Sequence, residues 1–219
     1  TSSVAFSNYH NIAVWDPQDP EQSTSNYEIP HRFTLSLGYS HEFMAGYKTR
    51  FNLFGQASQT NPYSYTFSSD TDGLGFNDND RQLLYVPTEG DSKVTYGEDF
   101  DLSAFNDWVK SEGLTRGEIA GRNEIDGDWW VTFDLKVEQE FAGYTDGHKG
   151  SAYFVVKNVG NLLNSDWGVL KNGDSMQAAV TAEIVDGQYH FTDFHDPAGT
   201  SVQFKPSVWE IRLGVKYTF

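Results

Sequence analysis

Residues 209–219 read WEIRLGVKYTF. Trp209, Ile211, Leu213, Val215, Tyr217 and Phe219 are apolar, while the residues between them, Glu210, Arg212, Gly214, Lys216 and Thr218, are polar or small. Strict alternation predicts a β-strand with one dry and one wet edge, because successive side chains point to opposite faces. Ten residues of rise, at about 3.3 Å each and tilted about 45°, cover about 23 Å, which matches the apolar band of an outer-membrane barrel.

The same comb recurs upstream. In RFTLSLGYSHEF the dry edge is Phe33, Leu35, Leu37, Tyr39 and Phe43; in KTRFNLFGQAS it is Phe51, Leu53, Gly55 and Ala57, with Phe54 the one apolar residue on the polar edge. In WWVTFDLKVEQEF it is Trp129, Val131, Phe133, Leu135, Val137 and Phe141, and in the less regular SAYFVVKNVG it is Ala152, Phe154 and Val156. Runs of about 10 to 13 residues exceed the usual strand of about 5 or 6 and suit a tilted bilayer crossing. The connections differ in kind: FMAGYK and FAGYTDGHK are short and glycine-rich, whereas 68–127 and 165–206 are long. AVTAEIV-DG-QYHFTDF within the second predicts a small hairpin turned by Asp186-Gly187. DLSAFNDWVKSEGL within the first predicts a surface helix, capped by Asp101 or Ser103, with Phe105, Trp108 and Val109 on one face and Gly113 ending it.

Composition narrows the classes. The 219 residues hold 15 basic and 31 acidic side chains, a formal charge of −16, which argues against a nucleic-acid partner. There is no cysteine, so disulfides and thiolate metal sites are excluded. Mean hydropathy is −0.55, and no run of 18 apolar residues predicts a membrane helix. TSSVAFSNYH carries neither a basic nor an apolar leader region and is not read as a signal peptide. Aromatics make up 16% of the chain against two methionines, favouring β structure over a helical bundle.

The expected fold is therefore all-β: an antiparallel transmembrane β-barrel segment with long extracellular loops. The expected organisation is an extracellular loop (1–31), a barrel hairpin (32–67), a long acidic extracellular loop with a short helix (68–127), a second barrel hairpin (128–164), an extracellular loop with a small hairpin (165–206) and a closing strand (207–219). The residues expected to face lipid are Phe33, Leu35, Leu37, Phe51, Leu53, Val131, Phe133, Leu135, Trp209, Ile211, Leu213, Val215, Tyr217 and Phe219. Aromatics at the strand ends suit the two interfacial girdles of such barrels.

The ending resembles the C-terminal β-signal of Gram-negative outer-membrane proteins, with its alternating apolar residues and terminal Phe219. More widely, SNYEIPHRFTLSLGYSHEF, YKTRFNLFGQASQTNPYSYTF, NDNDRQLLYVP, FNDWVKSEGL, WWVTFDLKVEQEF and NVGNLLNSDWGVL resemble, in order, the C-terminal region of Oar-like TonB-dependent receptors. GRNEIDGDWW departs from the family in lacking a proline beside its Arg-Asn pair. The resemblance implies a barrel of about 22 strands in the Gram-negative outer membrane, enclosing a plug and energised by TonB. Its partners would be that plug, the preceding barrel strands, outer-membrane lipid and lipopolysaccharide. The chain would be the last quarter of a larger receptor for energised ligand uptake. The alternative from another class is an outer-membrane structural or partner-docking barrel without transport.

Few residues suggest chemistry. Asp70, Asp72, Asn77, Asp78 and Asp80, with bends at Gly73 and Gly75, offer oxygen donors for calcium, although the closing glutamate of an EF-hand loop is missing. His190 and His195 in HFTDFHD point to opposite sides of a regular strand, so a metal site there needs a bend. No Gly-x-Ser-x-Gly elbow occurs, and no catalytic residue is assigned. On the polar edges, Arg32, Lys48, Arg50, Asp134, Lys136, Glu138, Glu140, Arg212 and Lys216 are expected to pair across strands or against the plug, with Arg122 doing so at a loop base. Tyr85, Tyr96, Trp108 and Trp167 would suit a peptide or sugar ligand held by the loops.

Overall fold

A computed structural model describes residues 11–68, 80–197 and 199–219. It contains 47% strand and 10% helix, so strand pairing carries the architecture. In chain order the strands are β1 (Arg32–Met44), β2 (Tyr47–Gln59), β3 (Ser64–Phe67), β4 (Val94–Tyr96), β5 (Trp129–Ala142), β6 (Lys149–Lys157), β7 (Lys171–Asn172), β8 (Met176–Val185), β9 (Gln188–Phe194), β10 (Ser201–Val202) and β11 (Glu210–Thr218). The principal helix, α1, spans Leu102–Ser111. The chain divides into two compact units.

The sheet unit comprises Ile29–Thr60, Asp128–Asn172 and Val202–Phe219. Its five strands lie in the order β1-β2-β5-β6-β11, every neighbour antiparallel. Among the described residues this sheet does not close, and β1 and β11 are its edges. Hairpin geometry explains the short connections. Ala45 and Gly46 join β1 to β2, with Gly46 at φ 82°, and residues 143–148 join β5 to β6, with Gly147 at φ 88°. The left-handed region needed at such tips is open to glycine at little steric cost. Arg32 pairs with Ser58 and Ser58 with Trp130, so β1 begins, β2 ends and β5 begins at one end of the sheet. All the long connections leave from that end, and both short turns close the other.

The acidic unit comprises Thr1–Glu28, Asn61–Gly127 and Gly173–Ser201. The segments expected to be separate long loops are here parts of one folded body. The reason is apolar: Phe67, Leu84, Val86, Phe105, Val109, Val180 and Phe191 are all under 2% exposed and share one core. Its four-stranded sheet runs β3-β8-β9-β4, with β8 and β9 antiparallel and the flanking pairs parallel. Asp186 (φ 52°) and Gly187 (φ 78°) make the two-residue tip between β8 and β9, as a type I′ turn requires. Helix α1 starts where the Asp101 carboxylate accepts the Ala104 amide at 2.9 Å, and it ends before Gly113 (φ 67°). Its outer face, with Leu102, Asp107 and Lys110, stays exposed, while Phe105, Trp108 and Val109 sit in the core, where Phe105 meets the Phe191 ring edge-on at 6.1 Å.

Burial sets the protonation of this core. Burial foremost raises the Tyr65, Tyr96 and Tyr189 phenols above their ordinary value of 10.0 and pushes Tyr85 up to about 12. Tyr85 donates to Asp91 at 2.6 Å, and that bond holds the Asp91 carboxyl below its usual range. A phenol whose folded pKa is raised stabilises the fold fully below its unfolded pKa and loses that contribution as pH rises through the folded value. Urea unfolding of the acidic unit is therefore expected to weaken from about pH 10 upward, with Tyr85 lost by about pH 12. Replacing Tyr85 with Phe should flatten that fall, and stability unchanged between pH 9 and 11.5 would contradict the assignment.

Candidate functional site: a dry strand face with a charged reverse

The pairing register aligns the combs of all five strands. Leu37 faces Leu53, Leu53 faces Leu135, Leu135 faces Val156 and Val156 faces Ile211, giving an unbroken apolar row across the sheet. The next row runs Tyr39, Phe51, Val137, Phe154, Leu213. All fourteen residues expected to face lipid lie on this side or extend its alternation at Trp209 and Phe219. Leu213 is 81% exposed, Val215 77% and Phe219 93%, while Phe51, Leu53 and Leu135 are half-buried by their neighbours along the rows. Leu35, Leu37, Phe133 and Ile211 also stay exposed, and Val156 is the buried member of the first row, at 8%. Folded domains otherwise bury such a face against another layer, and soluble monomers rarely expose apolar patches larger than a few hundred Å².

Aromatics gather at both ends of the face. At one, the Phe33 and His31 rings stack on Trp129 at 6.1 and 6.4 Å. At the other, Phe43 meets Phe51 edge-on at 6.5 Å, and Tyr217 meets His148 at 5.7 Å. Glycine makes room for rings within the rows. A Cβ at Gly55 would fall 2.7 Å from Cε1 of Phe133, and Gly150 lies against Phe141 in the same way. Each ring covers its glycine's bare backbone, the aromatic rescue used in well-formed sheets.

The reverse face is polar and laced with charge. Arg50 bonds Glu140 at 2.5 Å and lies 3.9 Å from Glu138, which is 2.8 Å from Lys136. Arg32 donates to Gln56 at 2.9 Å, so two of the expected cross-strand cations have partners on the neighbouring strand. Arg212 instead pairs along its own strand with Glu210 at 2.6 Å. Arg50, Glu138, Glu140, Lys149 and Lys216 also line an open cleft of about 500 Å³ on this face. Each half-exposed pair contributes on the order of 0–1 kcal/mol, so the ladder fixes register more than it stabilises.

Asn158, at the end of β6, is a residue whose importance the sequence did not signal. It adopts φ 51° and donates its side-chain amide to the carbonyls of Gly168 and Ser207, both at 2.9 Å. Its own amide donates to Asp134 at 2.9 Å, so one asparagine ties β5, β6 and the approach to β11 together. The NxxN spacing in NVGNLLN is the available signal, since Asn161 likewise holds the carbonyls of Ser165 and Trp167.

Elsewhere the expected sites fare differently. Asp70, Asp72, Asn77 and Asp78 lie outside the described residues, and Asp80 alone of that set is described. Among the described residues no three His, Cys, Asp or Glu side chains converge to hold a metal ion. His190 bonds Thr95 and His195 bonds Thr181, each at 2.9 Å, so the two imidazoles serve separate strand contacts. The aromatics read as ligand-binding are corrected in part. Tyr85 is 6% and Trp108 8% exposed, and Tyr96 packs against the core, because only burial of such rings lets the acidic unit form; Trp167 alone is exposed. Arg122 bonds the Ser23 carbonyl at 3.4 Å within the acidic unit.

Comparisons with protein families, with curated proteins and with solved structures find no match to this chain. A test of the dry face follows from its packing. Gly55→Val should displace Phe133 and cost about 1–3 kcal/mol in thermal unfolding of the folded protein. The double variant with Phe133→Ala should recover at least about 0.5 kcal/mol of coupling energy. Strict additivity of the two changes would show that the ring does not rest on the glycine.

Proposed function

We propose that the five-stranded sheet is a membrane-spanning part of an outer-membrane β-barrel, with its apolar rows in lipid and its charged reverse facing an aqueous interior. The observation that carries this reading is the aligned apolar face, on which Leu37, Phe133, Ile211 and Leu213 stay exposed among the described residues, on strands of up to 14 residues. A bilayer interior offers no hydrogen-bond partners, so only closed strand pairing or helices cross it; the reading therefore requires further strands on the edges of β1 and β11. Trp129 and Phe141 delimit about 28 Å of tilted rise along β5, enough for the apolar band. Long connections at one end and short turns at the other agree with an outer-membrane orientation in which the long connections lie outside the cell.

Within that setting the motif resemblance favours the C-terminal part of a TonB-dependent receptor of the Oar-like kind, whose work is capture and energised uptake of a ligand, with no bond made or broken. The independent core of the acidic unit favours a second reading, a partner-docking barrel that transports nothing. Loss of uptake on removing TonB function supports the first, and partner retention without TonB-dependent uptake supports the second.

Two measurements test the lipid face. In single-tryptophan variants of the membrane-inserted protein, brominated acyl chains should quench Trp129 and Trp209 and leave Trp108 in the core of the acidic unit unaffected. Equal insensitivity of all three would remove the proposal. Leu135→Arg should cost assembly about 2–4 kcal/mol, whereas Asn52→Arg on the reverse face should be tolerated; equal effects would contradict the assignment of faces.

A further inference from the structure

The charge of the chain is unevenly placed. The acidic unit holds 23 of the 31 acidic and 5 of the 15 basic residues, a formal charge of −18, while the sheet unit holds 8 acidic and 10 basic, or +2. Within the acidic unit lies a cavity of about 610 Å³, of the size that ligand sites commonly have. Its apolar wall is formed by Trp15, Leu83 and Ile119, and Ile119 keeps 37% of its surface exposed. Asp16, Asp19, Glu21 and Glu124 stand exposed around it, against Arg122, the one cation among the described residues that line it.

We propose that this cavity binds an extended cationic peptide, with Lys or Arg side chains on the carboxylates and a backbone carbonyl on Arg122. Arg122 lines the cavity, and its Nη2 donates to the Ser23 carbonyl at 3.4 Å, which holds the guanidinium at the wall. A guanidinium carries five N–H donors, so one held by a single backbone carbonyl keeps others for a peptide carbonyl. The exposed face of a half-buried Trp15 suits a guanidinium or ammonium group by cation–π attraction. The wall is fixed before any ligand arrives. Asn123 (φ 54°) donates to the Thr24 carbonyl at 2.7 Å and to Asn26 at 2.6 Å, and Ser23 and Arg122 bond each other's backbone. Such preorganisation lowers the ordering cost of binding.

Other ligand classes fit less well. Four carboxylates against one guanidinium repel anions, and the field of the whole unit does the same at longer range. A metal ion needs converging oxygens, and no three acidic or histidine side chains converge among the described residues. A neutral sugar would gain nothing from the charge, whereas an extended polycation spreads its charges as the carboxylates are spread.

The test uses the full chain in detergent and fluorescence anisotropy of a labelled nonapeptide rich in lysine. Binding should weaken as salt rises. The triple variant Asp16→Asn, Glu21→Gln, Glu124→Gln should lose at least about tenfold in affinity with its near-ultraviolet circular dichroism intact. Arg122→Gln should weaken the same peptide, which a purely electrostatic attraction to the unit would not predict. The remote triple variant Glu98→Gln, Asp107→Asn, Glu183→Gln removes equal charge and should change affinity by less than about twofold. Equal losses in the two triples would mean attraction by net charge alone. Equal binding of a glutamate-for-lysine peptide, or of a neutral oligosaccharide, would also overturn the proposal. None of these outcomes bears on whether the sheet lies in lipid.

Discussion

A single layer of antiparallel strands whose apolar side chains lie mostly on one face has to be covered on that face, and the pairing of this sheet is organised around that requirement. In the row from Leu37 to Ile211, each strand adds one apolar side chain; Leu37 (54%) and Ile211 (48%) are exposed and Val156 (8%) is buried. The reverse face is mostly polar, broken by Phe54, Trp130 and Val155, with Arg50 shared between Glu138 and Glu140. Because the side-chain period in a strand is two, a slip of one residue in any strand would carry its charges into the dry rows and its apolar groups among the ion pairs. The ladder, the glycine–aromatic pairs at Gly55 and Gly150, and the Asn158 ties all oppose such a slip.

The mean hydropathy of −0.55 is an average over two unlike bodies. One carries a formal charge of −18 and buries Phe105, Phe191 and Leu84 inside itself; the other, at +2, is near neutrality and turns its rings outward. The first pairs an acidic surface with an aromatic core, and the second an exposed apolar face with a mostly polar reverse.

The strand combs were legible because period two survives in sequence whatever covers the dry face. Arg32–Met44, Trp129–Ala142 and Glu210–Thr218 coincide with the alternating runs to within a few residues, and the Asp186-Gly187 tip with its turn chemistry. The acidic unit was not legible as a folded body. Its core joins Phe67, Leu84, Phe105 and Phe191, which are distant in sequence and belong to short strands, some paired in parallel, that leave no long periodic signal. That is why Tyr85 and Trp108 read as ligand-binding loop residues although they pack inside. Asn158 was missed for a related reason: a left-handed asparagine holding two distant carbonyls is a tertiary fact written in one residue.

The central claim, that alternate residues of these strands meet two different media, is most directly tested by a spin-label scan along residues 209–219 of the membrane-inserted protein. The chain has no cysteine, so each introduced label reports from one known place in it. Collisions with oxygen, which concentrates in lipid, should peak at the odd positions, and collisions with a water-soluble nickel complex at the even ones. A scan with no period of two, or with the odd positions open to nickel and shielded from oxygen, would contradict the account.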